Sequence, residues 1–291
     1  MEGDNRAMHE LPPPTERNDV DAAAHARALY LDLVRRSLLD AVYLHPELIP
    51  VAPTGRLKRA VISLVERRGM KLVRQRDFDP ERRAEGRGWP YHAHTMIGEK
   101  RLRNIQACVE DVIRADVPGD LIETGVWRGG AAIFMRAVLK AHDISDRTVW
   151  AADSFRGLPP PNPDRYPADA GANLHEYEEL AVPLEEVRDN FNRYGLLDGQ
   201  VEFLEGWFRD TLPTAPIEEL AVMRLDGDYY ESTWDALSSL YPKLSSGGYV
   251  IVDDYQLIEA CQAAVDDFRR EYAITEQLET VDWSAVFWRK R

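Results

Sequence analysis

Short apolar runs alternate with helical patterns from residue 120 onward. The apolar runs have the length of buried strands and lie at residues 120–124, 148–153, 201–205, 221–226 and 248–253. Helical spacing of apolar residues is found between or after them, at residues 129–141, 184–194, 232–241 and 258–272. Strands separated by helices predict right-handed βαβ units and a parallel sheet, and therefore an α/β fold. Two final strand-like runs, 274–280 and 285–290, predict an antiparallel hairpin that closes the sheet.

The chain before this alternation has a different pattern. Residues 1–22 lack hydrophobic periodicity and are predicted to be a flexible tail. Apolar residues at helical spacing predict one helix between residues 20 and 48 and another between residues 57 and 65. Residues 67–90 are dense in charged residues and glycine, and we expect a long loop that acts as a lid. The predicted division is a tail at 1–22, a helical extension with the lid at 23–94, and a main domain at 95–291.

A polar segment interrupts the regular alternation at residues 162–179. Loops of this length in compact domains often serve as lids over a site. The alternative interpretation is a disordered loop without a role.

Composition narrows the range of partners. The chain has 50 acidic and 36 basic residues and a net charge of -14, so we expect no nucleic-acid partner, which would need a concentrated basic surface. No apolar run approaches the ~20 residues that cross a bilayer, and no membrane partner is expected. The chain opens with no secretory signal and contains two cysteines, Cys108 and Cys261, which favours a reduced cytoplasmic location.

Three acidic residues follow two of the apolar runs directly. Asp226 ends the run Met-Arg-Leu-Asp, and Asp253 and Asp254 end the run Val-Ile-Val-Asp-Asp. Because the carboxyl ends of parallel strands open onto the ligand crevice, we expect these carboxylates to converge there and to hold a hard divalent ion, Mg²⁺. Asp226 is also the predicted general base, with Asp228 as the competing candidate. The alternative for Asp253 and Asp254 is a polar strand end followed by a helix cap.

A glycine-containing turn follows the first strand of the main domain. Gly125 ends the strand and Gly129-Gly130 opens a helix, so a ligand can lie against bare backbone. The spacing is not G-x-G-x-x-G, which disfavours a nicotinamide cofactor. Asp153 ends the next strand, 28 residues after Gly125, where an acid can accept both hydroxyls of a ribose. With Glu123 placed to meet a cationic or amine-bearing group, the pattern favours S-adenosylmethionine over a dinucleotide.

Five motifs occur in the order Glu-Thr-Gly-Val-Trp-Arg-Gly-Gly, Asp-Ser-Phe-Arg-Gly-Leu-Pro-Pro-Pro, Glu-Gly-Trp-Phe-Arg-Asp-Thr-Leu-Pro, Arg-Leu-Asp-Gly-Asp-Tyr-Tyr-Glu-Ser-Thr and Gly-Gly-Tyr-Val-Ile-Val-Asp-Asp-Tyr. Together they resemble the macrocin O-methyltransferase family of antibiotic-sugar methyltransferases. The resemblance runs from about residue 95 to residue 291. It implies a class I methyltransferase (Rossmann-like) fold with a seven-stranded, mainly parallel sheet. It also implies S-adenosylmethionine, Mg²⁺ and dimers or higher oligomers.

The resemblance also implies roles for individual residues. Thr95 and Met96 match a segment that lies over the cofactor, and residues 206–208 match a segment near the adenine. Asp153 matches the ribose-binding acid. The expected metal ligands are Asp226, Asp253 and Asp254. The full expected cofactor-binding set is Thr95, Met96, Glu123, Gly125, Val126, Asp153, Ser154, Gly206, Trp207, Phe208 and Asp226.

The expected activity is Mg²⁺-dependent transfer of a methyl group from S-adenosylmethionine to a deoxysugar hydroxyl on a glycosylated natural product, as in antibiotic biosynthesis. A catechol or phenol acceptor is the first alternative, because any vicinal diol can chelate the same ion. A non-catalytic S-adenosylmethionine-binding partner protein and a nicotinamide oxidoreductase are the others. We expect a small-molecule glycoside substrate and a homo-oligomer.

Two histidines and several aromatic residues are candidates for contact with the substrate. His92 and His94 lie in the predicted lid and are expected either to touch the substrate or assist proton removal, or to pack within the lid. Aromatic faces beside the crevice can stack on a sugar or a polyketide ring, with core packing as the alternative. These aromatic residues are Trp89, Tyr91, Trp127 and Tyr255.

Overall fold

The computed structural model describes residues 14–44, 46–51, 55–87 and 91–291. The first thirteen residues of the predicted tail and Trp89, in the predicted lid, lie outside the described residues. No helix among the described residues is both long enough and apolar enough to cross a membrane.

A seven-stranded sheet forms the centre of the main domain. Its strands are β3 (Asp120–Thr124), β4 (Val149–Asp153), β5 (Val201–Glu205), β6 (Leu220–Leu225), β7 (Leu244–Val252), β8 (Glu279–Thr280) and β9 (Val286–Arg289). They lie in the order β5-β4-β3-β6-β7-β9-β8, and β9 runs antiparallel to both of its neighbours. The predicted α/β class, mainly parallel sheet and closing hairpin are confirmed. The first hairpin strand is shorter than the predicted run.

Helices cover both faces of this sheet because their apolar sides pack into two hydrophobic cores. One core takes side chains from α1 (Pro14–Leu38), α4 (Gly98–Arg114), α5 (Gly130–Ala141) and α6 (Leu184–Arg193). The other takes side chains from α8 (Tyr230–Leu240) and α9 (Glu259–Glu271). The short helix α7 (Phe208–Thr211) follows β5 directly. From Gly130 to Leu139, helix α5 is buried on all sides, between the sheet and the outer helices.

The direction of the sheet order reverses at β3. Its successor β4 pairs on one side, while β6 pairs on the other. The two connections therefore leave in opposite directions and open a crevice at the carboxyl ends of β3 and β6. This geometry places Gly125, Asp153 and Asp226 around one depression.

Helix α1 differs in its limits from the predicted N-terminal helix. It begins at Pro14, inside the segment 1–22 that we expected to be a flexible tail, and ends at Leu38 rather than near residue 48. Leu31, Val34 and Leu38 are buried against the main domain. The chain leaves the helix where Asp40 adopts a φ of 52°, a left-handed conformation that stops helix propagation.

The segment predicted as a lid loop contains secondary structure. Within residues 67–90, strand β2 (Val73–Arg76) pairs antiparallel with the earlier strand β1 (Glu47–Pro50). Between the two strands, α2 (Arg56–Glu66) matches the helix predicted at residues 57–65. Helix α3 (Pro80–Ala84) begins after Asp79, whose side chain accepts a hydrogen bond from the Arg82 N–H at 3.0 Å. This Asp-Pro start is a helix signal that the charged composition obscured.

Candidate active site

A pocket opens at the switch point of the sheet. Its empty space, counted out to the open mouth, is about 720 Å³, a size suited to a cofactor. Eight of the eleven predicted cofactor-binding residues line it: Met96, Gly125, Asp153, Ser154, Gly206, Trp207, Phe208 and Asp226. Thr95, Glu123 and Val126 do not line it, because their side chains are buried behind the pocket wall.

The Asp153 carboxylate is held by the backbone of the glycine turn. One oxygen accepts the Val126 N–H at 2.7 Å, and the other accepts the Phe155 N–H at 2.8 Å. Burial raises the pKa of Asp153, while these backbone donors oppose the rise. Each oxygen also accepts a longer hydrogen bond at 3.4 Å, one from the Trp127 N–H and the other from the Ser154 hydroxyl. These two long contacts are weak, so ribose hydroxyls can compete for the same oxygens. Val126 thus contributes through its backbone rather than through its side chain.

Glu123 has a different environment from the one expected. Its side chain pairs with Arg224 at 2.6 Å and accepts the Ala132 N–H, in the first turn of α5, at 2.7 Å. Glu123 and Arg224 are register partners on adjacent strands, so their side chains share one face of the sheet. Burial raises the pKa of Glu123 to about 8 against the opposing charge of Arg224. The carboxylate is occupied within the protein and does not face the pocket.

Gly125 lies where two backbone segments come close together. Its φ is 83°, and a Cβ atom at this position would lie 1.7 Å from the Asp226 carbonyl oxygen. The absence of a side chain therefore lets the end of β3 approach the residue that follows β6. The glycine signal in the sequence reflects this close approach as much as access for a ligand.

Three carboxylates lie together at the pocket end of the sheet. Asp226, Asp228 and Asp254 each offer one oxygen, and these oxygens lie within 4.8 Å of one another. The Asp254 Oδ2 atom is buried without a hydrogen-bond partner among the described residues. A divalent cation bound by hard oxygen ligands would satisfy this atom and offset the repulsion. The donor set fits Mg²⁺.

The predicted metal ligand Asp253 is not in this group, and Asp228 takes its place. Both Asp253 oxygens are engaged by guanidinium groups, one by Arg101 and the other by Arg224. Arg224 also contacts Asp226 at 2.9 Å, and Arg101 also contacts Asp282 at 2.9 Å. Asp253 and Asp254 follow the last residue of β7, and there the Asp253 side chain meets the arginines while Asp254 joins the acid cluster.

The two kinds of acid differ in pKa for this reason. Burial alone would raise the pKa of Asp253, but Arg101 and Arg224 hold it below its usual range. Burial and the charges of Asp226 and Asp253 raise the pKa of Asp228 to about 8. Burial and the neighbouring acids raise the pKa of Asp254 well above its usual range. Asp228 and Asp254 form no ion pair with an arginine among the described residues, so a cation would relieve the repulsion between them and Asp226.

The polar segment predicted at 162–179 lies beside the pocket and forms short 3-10 turns. Asp169 accepts the N–H groups of Tyr230 and Glu231, at 2.7 and 3.1 Å, and so caps helix α8. The Glu179 carbonyl accepts a hydrogen bond from the Trp127 indole at 2.8 Å. Leu180 is part of the pocket wall. These contacts hold the segment in place beside the pocket wall.

Other predicted candidates lie elsewhere. His94 packs between α1 and α6, where its Nδ1 atom lies 3.1 Å from the Tyr194 hydroxyl. Tyr91, His92 and Tyr255 do not line the pocket, whereas Trp127 does.

Some residues of the pocket wall were not predicted from the sequence. They are Leu158, Pro159, Leu180, Arg209, Gly227, Glu231, Ser232 and Asp235. The sequence signal available for Glu231 and Asp235 was their i, i+4 spacing in the helix after Asp228, which places both acids on one face of that helix.

The sheet order, with its antiparallel strand β9, and the pocket at the switch point are typical of the class I methyltransferases. A family described as Macrocin-O-methyltransferase (TylF) matches residues 27–290. The chain therefore belongs to the macrocin O-methyltransferase family, as the motifs predicted, and is an O-methyltransferase.

Relatives with named activities are similar over most of their length. A demethyldecarbamoylnovobiocin O-methyltransferase from Streptomyces niveus is 53% identical over 264 residues, 90% of this chain and 94% of the relative. A mycinamicin III 3''-O-methyltransferase from Micromonospora griseorubida is 48% identical and covers 90% of this chain and 96% of its own. The solved structure of the O-methyltransferase NovP, 52% identical, superposes with a TM-score of 0.78 over 91% of this chain and 99% of that one.

Proposed function

We propose that this protein transfers a methyl group from S-adenosylmethionine to a sugar hydroxyl of a glycosylated natural product, with Mg²⁺ bound at the acid cluster. The observation that carries the proposal is one continuous pocket with Asp153 on its wall and with Asp226 and Asp228 on the same wall. A site for a nucleoside thus adjoins a site for a cation. The proposed cellular location is the cytoplasm, and the proposed assembly is a homo-oligomer.

The pocket residues divide into two groups by the ligand that they would hold. Asp153 and the backbone of Gly125 would hold the ribose side of the cofactor, and Trp207 and Phe208 would contact its adenine. Asp226, Asp228 and Asp254 would hold the metal ion. When bound, the cofactor supplies an electrophilic methyl group on sulfur, and the ion supplies a Lewis acid that favours ionisation of the acceptor hydroxyl.

The chain itself must accept the proton that leaves the hydroxyl. Asp226 and Asp228 both line the pocket, so both are within reach of an acceptor there. Asp226 is held in place by Arg224 at 2.9 Å and is our proposed general base as well as a ligand. Asp228 is the competing base, and burial raises its pKa to about 8, close to the value that suits proton transfer near neutrality.

The names of the relatives support a sugar acceptor. One relative from Streptomyces olivaceus, 52% identical, is named as the 4'-O-methyltransferase of a tetracenomycin that carries a dimethoxy-rhamnosyl group. The mycinamicin relative is named for a 3'' position. Because a catechol presents the same vicinal oxygens to a metal ion, it is the acceptor class that the test must separate.

The test measures methyl transfer from labelled S-adenosylmethionine to a panel of deoxysugar glycosides and catechols. The wild type and the variants Asp226→Asn, Asp228→Asn and Asp254→Asn are compared with Mg²⁺ present or chelated. Asp210→Asn is the matched control, because Asp210 is an exposed acid outside the pocket wall. We expect metal-dependent labelling of glycosides, unchanged in the control and reduced at least about 100-fold when the base is removed.

The outcomes separate the candidates. Turnover of Asp226→Asn and Asp228→Asn is compared at saturating Mg²⁺. The variant with the lower turnover shows which of the two residues is the general base. Labelling that survives chelation would reject the metal proposal, and labelling of catechols alone would reject the sugar. Tight cofactor binding with no transfer to any member of the panel would support a non-catalytic binding protein.

A further inference from the structure

An exposed apolar surface lies on the N-terminal extension. Residues 55–76, which we call the arm, comprise α2, the following turn and β2. The large apolar side chains Val61, Leu64, Met70 and Leu72 are each 46 to 54% exposed, whereas Ile62 is buried. An amphipathic helix gains most of its stability from burial of its apolar face. The arm thus presents an exposed apolar face of the kind that marks a protein–protein interaction site.

The arm is basic in an acidic protein. It carries eight basic residues and one acid, Glu66. Its formal charge is therefore +7, and subtraction of this value from the net charge of -14 leaves -21 on the rest of the chain. The arginines and lysines flank the exposed apolar side chains. The matching surface should be acidic and should also offer apolar area.

A surface with these properties lies on the same chain, beside the active-site pocket. Residues 176–189, which we call the acidic rim, include the exposed acids Glu176, Glu178, Glu179, Glu185, Glu186 and Asp189. Arg188 is the one basic residue among them. The side chain of Tyr177, among these acids, is 43% exposed. Leu180, in the middle of the rim, belongs to the pocket wall.

We propose that the arm of one copy of this protein docks on the acidic rim of a second copy, next to the mouth of the second copy's pocket. In a twofold dimer the contact is reciprocal, so each arm covers the partner's rim. The partner's arm would then form an outer wall where the acceptor enters.

Charge favours a second copy over an anionic membrane. A membrane surface attracts the arm but repels the remaining charge of -21, whereas a second copy offers that charge as the complement. Docking of the arm on the rim would also bury exposed apolar side chains of both surfaces. This inference specifies the surfaces of the proposed homo-oligomer and does not depend on the proposed reaction.

The first experiment measures the dimer dissociation constant by sedimentation velocity as a function of NaCl concentration. The variants are Arg67→Glu/Arg68→Glu on the arm, Glu178→Arg/Glu179→Arg on the rim, and all four changes together. Asp146→Arg/Glu271→Arg is the control, because it alters two exposed acids away from the rim. We expect each surface pair to raise the dissociation constant at least about tenfold, the four changes together to restore it, and the control to leave it unchanged.

The second experiment identifies the contact. Lys71 on the arm is exposed, so a zero-length carbodiimide reagent can join it to a rim glutamate. A mixture of isotopically light and heavy chains separates cross-links between chains from those within a chain. We expect light–heavy cross-links between Lys71 and Glu176, Glu178 or Glu179.

A monomer at all concentrations, cross-links at other surfaces, or a dimer indifferent to all the charge reversals would overturn the inference. A monomer that binds anionic vesicles through the arm would also overturn it, in favour of a membrane. Binding of S-adenosylmethionine is measured on the same samples. Loss of the dimer with cofactor binding intact would leave the proposed function standing, and an arm–rim dimer without cofactor binding would reject the proposed function alone.

Discussion

At the scale of single residues, the direction of each acidic side chain at the pocket edge decides whether it meets an arginine or joins the acid cluster. Asp226 and the Asp253–Asp254 pair were predicted at the pocket edge because each follows an apolar run. Asp253 nevertheless faces two arginines, which the pattern of apolar residues does not encode. The available signal was Arg224 itself, since an arginine within a fully buried strand needs acidic partners.

Arg224 is fully buried among acids, so its removal should destabilise the fold. In Arg224→Met, Glu123 and Asp253 lose their shared buried cation, and we expect a loss of about 3–5 kcal/mol in the free energy of unfolding. Arg156→Met is the control, because the Arg156–Glu205 pair is exposed and should contribute about 0–1 kcal/mol. Urea denaturation measures both. Similar losses in the two variants would contradict this account.

Gly125 allows a sharper comparison between backbone strain and steric clash. Gly125→Ala combines a φ of 83° with a clash against the Asp226 carbonyl, and we expect a loss of about 3 kcal/mol or more. Gly171 has nearly the same φ, 82°, but no atom of the described residues lies within 4 Å of the position of a Cβ atom there. Gly171→Ala should therefore cost only about 1 kcal/mol. Equal losses on thermal unfolding would show that strain, not contact, is the cause at Gly125.

At the scale of elements, the sequence predicted the strands and helices of the main domain well because their periodicities are strong. The extension was predicted less well. Its β1–β2 ribbon is only four residues long in each strand, too short for alternation to show. The polar segment after β4 was recognised as an interruption, but its contact with α8 depends on Asp169, which is distant in the sequence.

Asp169 should stabilise both α8 and the segment beside the pocket. In Asp169→Ala two N–H groups at the start of α8 lose their acceptor, and we expect a loss of about 1–2 kcal/mol together with faster hydrogen exchange in residues 166–180. Asp169→Asn keeps one side-chain carbonyl acceptor and should show a smaller loss. Hydrogen exchange that is unchanged in Asp169→Ala would mean that the segment is held by other contacts.

At the scale of the whole molecule, the net charge averages over an uneven distribution of charged residues. A charge of -14 conceals an arm at +7. Composition cannot locate charge on a surface, and only the fold shows that the basic residues share one exposed unit while the acids gather beside the pocket.

The stability of the molecule should fall in mildly acidic solution because of His94. Burial, with the nearby charges of Arg193 and Arg128, lowers the pKa of His94 to about 4 from 6.5. Between these values the unfolded chain binds a proton that the folded chain does not. The stability that comes from keeping His94 neutral in the folded chain is therefore fully present above pH 6.5. It is lost as the pH falls toward 4.

His94→Gln removes this titration while it retains a polar side chain. We expect the free energy of unfolding of the variant to depend less steeply on pH between 4 and 6.5 than that of the wild type. Denaturation at a series of pH values measures the two slopes. Parallel slopes would show that His94 is protonated alike in the folded and unfolded chains.

The pairing of Arg101 and Arg224 with Asp253 has a consequence for the order of assembly. Because these guanidinium groups already hold part of the acid centre in place, the centre is preorganised by the protein and does not need an ion in order to form. Folding and cation binding are then separate events, unlike those of small domains that stay unfolded until metal binds. A cation would add stability only by mass action, in proportion to its concentration relative to its dissociation constant.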